Sequence, residues 1–101
     1  MHNDPVLSML GIAAKSGNVV SGEFSTEKAV KTGHAYLVIV SAEASGNTKK
    51  SFCNMTDFYH VPCYCYGSKE ALGRCIGKEF RASLAVTDEN LAKAVEKKLK
   101  E

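Results

Sequence analysis

Ser68-Lys69-Glu70-Ala71-Leu72-Gly73-Arg74-Cys75-Ile76-Gly77-Lys78-Glu79-Phe80-Arg81-Ala82 reads as one short helix, closed by a glycine and followed by a charged loop that runs into a strand. Ser68 is a helix-capping residue, because its hydroxyl can satisfy an orphan amide of the first turn. Leu72, Cys75 and Ile76 recur at helical spacing and give the helix one inward face. Gly77 suits the left-handed position that ends a helix. The loop sets Phe80 among Lys78, Glu79 and Arg81. An aromatic offered between cations can stack on an unpaired base while its neighbours hold phosphates. Alternatively, Phe80 is the first inward residue of the next strand. The residues alone leave both readings open.

Outward from this stretch, helix and strand signals alternate. Asp4 caps a first helix with Pro5 at its opening position, where proline loses nothing. Val6, Leu7, Met9, Leu10, Ile12 and Ala13 form its apolar stripe, and Gly17 ends it. A short strand over 18–21 precedes a second helix from about Gly22 to Thr32, stopped by Gly33. Tyr36-Leu37-Val38-Ile39-Val40 is a continuous apolar run, the pattern of a central strand covered on both faces. Polar residues from Ser45 open a third helix that continues through Phe52, Met55, Phe58 and Tyr59. A Val61-Pro62-led strand covers 63–66, and the last strand covers 82–86. Thr87-Asp88 then caps a final helix whose Leu91, Ala92, Val95 and Leu99 share a face. Four short strands between helices predict one α/β domain over residues 1–101, a small sheet between two helical layers. Strand order is not encoded in this pattern.

Composition narrows the function. Of 101 residues, 45% are apolar and 24% charged, as in ordinary soluble domains. A net charge of +2 permits an anionic partner without requiring one. With no export signal and no apolar run near the ~18 residues of a membrane span, the chain is expected in the cytoplasm, without a membrane role. Cys63 and Cys65 share one face of a strand, which wraps a metal poorly compared with the usual turn-borne pairs. Cys53, Cys63, Cys65 and Cys75 therefore read as buried, reduced thiols, with no metal, disulfide or cofactor. His34 and His60 have no nucleophile placed beside them by local spacing, and no phosphate-binding glycine loop is present, so the reading is non-catalytic.

The entry to the second helix is the other candidate site. Ser21-Gly22-Glu23-Phe24-Ser25 opens it with a glycine, which lets another backbone approach amides that favour an anion. Lys28 follows six residues later on the same helix. The bland reading is an ordinary helix entry with a solvated lysine.

Taken in order, Gly22, Lys28 and Gly33, an apolar strand ending in Ser41-Ala42-Glu43, and Ser68-Lys69 leading into Leu72-Gly73 and Gly77 resemble the ribosomal protein L-seven-Ae family, which binds kink-turn RNA. Ser21-Gly22-Glu23, Asn47-Thr48-Lys49-Lys50, Ile76-Gly77-Lys78-Glu79 and Ala85-Val86-Thr87-Asp88 resemble its bacterial YlxQ-type branch. The resemblance spans about residues 6–100 and implies a three-layer αβα sandwich that reads a sharply bent RNA and associates with ribosomes or translation; a monomer is expected. It implies RNA contacts at Gly22, Glu23, Phe24, Ser25, Lys28 and Glu43, with Lys78, Glu79, Phe80 and Arg81 covering an extruded base. The ribosomal members carry an Asn-Glu pair where this chain has Phe24 and Ser25, and phenylalanine cannot hydrogen-bond to a base edge. Readout of sheared G·A pairs is therefore expected to differ. The alternative is a protein-interaction module of the same fold, with Phe24 and Phe80 as partner anchors.

Overall fold

The computed structural model describes residues 4–101 and alternates helix and strand throughout: α1 (Pro5–Lys15), β1 (Val19–Ser21), α2 (Glu23–Lys31), β2 (Leu37–Val40), α3 (Gly46–Phe58), β3 (Cys63–Cys65), α4 (Lys69–Cys75), β4 (Ser83–Val86) and α5 (Glu89–Lys100). The capping chemistry read from the sequence starts several of these helices. Asp4 Oδ1 accepts from the amides of Val6 and Leu7, Ser45 from Thr48, Ser68 from Ala71 and Asp88 from Leu91. The strands form one mixed sheet in the order β1-β4-β2-β3, with β4 antiparallel to both neighbours and β2 parallel to β3.

Strand alternation sorts the core into two layers. Leu37, Ile39, Leu84 and Val86 face α1, α4 and α5, where Val6, Leu10, Leu72 and Val95 meet them. Val38, Val40 and Ala85 face α2 and α3, against Val30 and Phe52. The inner strands β2 and β4 are buried along their whole lengths, as the continuous apolar run of β2 requires. Each buried Leu, Ile or Val contributes roughly 1.5–3 kcal/mol. The architecture is the αβα sandwich expected from the resemblance.

Ile12, expected in the apolar stripe of the first helix, points outward, and so do two apolar residues at the end of the third helix. Ile12 is 55% exposed, because the buried line of α1 runs through Val6, Leu10 and Ala13, and a residue two positions from Leu10 lies about 200° round the helix. Phe58 is exposed for the same reason relative to Thr56. Tyr59 lies at the C-cap of α3, past the buried turn. Thr56 takes the inward place and satisfies its hydroxyl by donating to the carbonyl of Phe52 at 2.7 Å. The cysteines also depart from the buried reading. Cys53 and Cys65 are exposed, the first being one residue round α3 from inward Phe52 and the second lying on an edge strand. Cys63 and Cys75 are half-buried, and burial pushes each thiol up to about 11.

Register places the candidate loops together. Ser21 pairs with Leu84, and Val40 pairs with both Ser83 and Cys65. The segments entering α2, following β2, entering α4 and entering β4 therefore all emerge at one end of the sheet.

Candidate nucleic-acid interface

At the start of α2, Gly22 adopts φ 92° and ψ 159°, a backbone conformation that side-chain-bearing residues rarely take. A Cβ there would meet nothing within 4 Å, so the torsion rather than space demands glycine. Its amide donates to the carbonyl of Ser83 at 2.9 Å, fixing the helix entry to β4. No side chain caps the first turn, which leaves Glu23, Phe24 and Ser25 exposed around it. Lys28 is exposed one turn further on and has no carboxylate partner among the described residues, whereas Lys31 pairs with Glu27 at 2.6 Å.

Around α4, the leucine-glycine pair divides two tasks. Leu72 is fully buried in the core, while Gly73 supports the following loop. A Cβ on Gly73 would lie 1.2 Å from the carbonyl oxygen of Glu79, so the loop backbone passes directly over the bare helix surface. The loop is pinned at both ends: the amide of Lys78 donates to Gly73 O at 2.8 Å and that of Arg81 to Lys69 O at 3.0 Å. Between these pins, Phe80 is 67% exposed. The inward alternative for Phe80 is thus excluded, and β4 begins three residues later, at Ser83. The ring borders shallow hollows that contain Lys69 and Glu43 on one side and Lys78 and Arg74 on the other. Arg74 pairs with Glu70 at 3.1 Å.

Two side chains join these regions. Arg81 Nε donates to Ser21 Oγ at 3.0 Å and its Nη1 to Phe80 O at 2.8 Å, bracing the loop against the residue that precedes Gly22. Glu43 Oε1 accepts from the amide of Lys69 at 3.0 Å, at the first turn of α4. Buried Ser41 secures that approach, donating to Gly67 O and accepting from the amide of Glu43, both at 3.0 Å. Arg81 and Glu43, expected as direct contacts, here hold the loops of the candidate site to one another. Ser21, Ser41 and Gly73 were missed as positioning residues. All three stand within the motifs that carry the resemblance, but the steric purpose of Gly73 and the bonds of Ser21 and Ser41 show only when the loops are in place.

Gly22, Glu23, Phe24, Ser25, Glu43, Lys78, Glu79, Phe80 and Arg81 therefore collect at one end of the sheet, and Lys28 lies down the flank of α2. This end carries both signs of charge, with Glu23, Glu43 and Glu79 beside Lys78 and Arg81. Among the described residues, no cluster of three or more His, Cys, Asp or Glu side chains is placed to hold a metal. Nor is any described helix long and apolar enough to cross a membrane.

Comparison with known proteins bears on the family and the fold. Residues 4–96 match the family model described as "Ribosomal protein L7Ae/L30e/S12e/Gadd45 family". The chain is 40% identical over 84 residues to "RNA-binding protein YlxQ" of Bacillus subtilis, covering 83% of this chain and 84% of that protein. It is 34% identical over 84 residues to "Large ribosomal subunit protein eL30" of Sulfolobus acidocaldarius, covering 81% of each. A solved structure from Bacillus halodurans, described as a protein with unknown function, superposes with a TM-score of 0.95 at 33% identity over 98% of this chain and 100% of that one. With the family model covering nearly the whole sequence and the sandwich in place, the chain belongs to the Ribosomal protein L7Ae/L30e/S12e/Gadd45 family.

Proposed function

We propose that this protein is a non-catalytic binder of structured, kink-turn-like RNA, acting as a cytoplasmic monomer in association with the ribosome or translation. The observation that carries the reading is Phe80, held out from a pinned loop between Lys69 and Lys78 rather than packed into β4. RNA is read chiefly where bases are unstacked, and an aromatic platform flanked by cations suits one extruded base and the phosphates beside it. Gly22 admits the RNA backbone to the uncapped start of α2, and Lys28 takes a phosphate. Glu23, Ser25, Glu43 and Glu79 supply acceptors for exocyclic amines and 2′-hydroxyls, and Arg81 presents its remaining guanidinium donors. The relatives named for RNA binding and for the large ribosomal subunit support this reading.

The test is titration of the protein with a kink-turn RNA beside a control whose sheared G·A pairs are replaced by Watson–Crick pairs. The expected result is binding of the first at least ~10-fold tighter, about 1.4 kcal/mol. Equal affinity would remove the kink-turn specificity. Absence of binding to either RNA would turn the reading to the protein-interaction module.

A further inference from the structure

A concave surface continues from the sheet-end site down the flank of α2. Val20 of the edge strand β1 forms its floor with Ala29, Phe24 stands at its upper lip, Lys28 is midway, and Thr32 and His34 close its lower end. Phe24 is 78% exposed, on the first turn of α2 beside Gly22. Lys28 is one turn below it, and the hydroxyl of Thr32 lies 2.8 Å from His34 Nδ1. No carboxylate lines this groove, whereas both hollows beside Phe80 include glutamates. The groove thus combines an open aromatic face, an unpaired ammonium group and an imidazole, without a competing negative charge.

We infer that this groove receives the nucleotide adjoining the bound bend, with its base stacked on Phe24 and its phosphate on Lys28. The inference rests on the RNA reading above and adds a second stacking platform to it. Charge selects the occupant: a nucleotide supplies both a π-face and an anion, in the order the groove presents their counterparts. The groove also begins where Gly22 admits the backbone, so a strand leaving that point enters it directly. Phe24 therefore replaces base-edge reading with stacking, which tolerates any base. A target with an unpaired residue here is held without hydrogen bonds to its edge.

The experiment uses the full chain and a kink-turn RNA carrying 4-thiouridine at each unpaired position in turn. Ultraviolet cross-linking should recover the peptide containing Phe24 from one of these positions, distinct from the position that cross-links to Phe80. In titrations with the unmodified RNA, Phe24→Ala should weaken binding about 5- to 150-fold, the usual worth of one base-aromatic stack. Its melting temperature should stay unchanged, because the side chain is exposed. Phe24→Tyr should bind like the parent, and Phe24→Leu should bind like the alanine variant. Normal RNA affinity in folded Phe24→Ala, with no cross-link at Phe24, would overturn this inference and leave the RNA reading standing. Full affinity in Phe24→Leu would also overturn it, since apolar bulk rather than a stacking face would then suffice, as at a protein contact. Failure of the parent to bind any of the RNAs would remove both readings together.

Discussion

Phe80 leaves two-thirds of its surface in solvent, so its worth to folding and its worth to binding separate cleanly. Phe80→Ala is expected to cost about 1–3 kcal/mol of RNA affinity with a melting temperature close to the parent's. Binding isotherms and thermal denaturation of the one variant check both halves. Gly73 predicts the reverse pattern. Its missing Cβ is where Glu79 O passes, so Gly73→Ala must lift the loop or shift α4, at about 1–3 kcal/mol of stability. Chemical denaturation measures that loss, and Gly77→Ala serves as a comparison in which strain comes from φ 76° rather than from a clash. Thr26 offers a gain instead. Its fully buried hydroxyl has no hydrogen-bond partner among the described residues, so Thr26→Val should leave stability unchanged or raise the melting temperature. At this scale the sequence disclosed types but not directions. Phe80 lies in the loop three residues before β4, and the pins at Lys78 and Arg81, which spacing does not disclose, hold that loop over Gly73.

Among the elements, α1 and the segment after β3 are joined through Tyr66, whose hydroxyl donates to Asp4 Oδ2 at 2.7 Å. For Asp4, burial raises the carboxyl's pKa. The hydrogen bonds from Tyr66, Leu7 and Val6 outweigh it and hold the group below its ordinary 3.8. For Tyr66, the hydrogen bond to Asp4, then burial and the carboxylate's charge, raise the phenol above its ordinary 10. The lowered carboxyl favours the fold above pH ~4, and that contribution fades as pH falls through the folded value. The raised phenol favours the fold below pH ~10, and its contribution fades as pH rises through the folded value. Tyr66→Phe should therefore flatten the stability profile at the alkaline limb and, in part, at the acid one, where the bonds to Val6 and Leu7 persist. Denaturation midpoints between pH 2 and 11 would show it. Helices and strands were legible to within a residue or so, because caps such as Asp4 and Ser68 and stops such as Gly17, Gly33 and Gly77 are local chemistry. What failed was the inward face at Ile12. Apolar residues on an exposed flank look identical to core residues when only spacing is counted.

For the molecule as a whole, Lys28→Ala should weaken RNA binding and flatten its salt dependence by about one counterion without unfolding the chain. Affinities across a salt series decide this. Thiol labelling tests the packing of the layers: Cys53 and Cys65 should react quickly in the native state, and half-buried Cys63 and Cys75 slowly until denaturant is added. The order β1-β4-β2-β3 was not legible, since strand pairing depends on contacts far apart in the chain, whereas patterning reports only on neighbours. That same order acquires a temporal meaning during synthesis. The strand that fills the gap between β1 and β2 is β4, the last to be made, and the brace from Arg81 to Ser21 spans 60 residues of sequence. Until β4 arrives, β1 has no partner strand and Gly22 has no carbonyl at Ser83 to receive its amide. A growing chain thus carries four of its five helices before the strand that closes the sheet and joins the entry of α2 to the loop after α4 has been made.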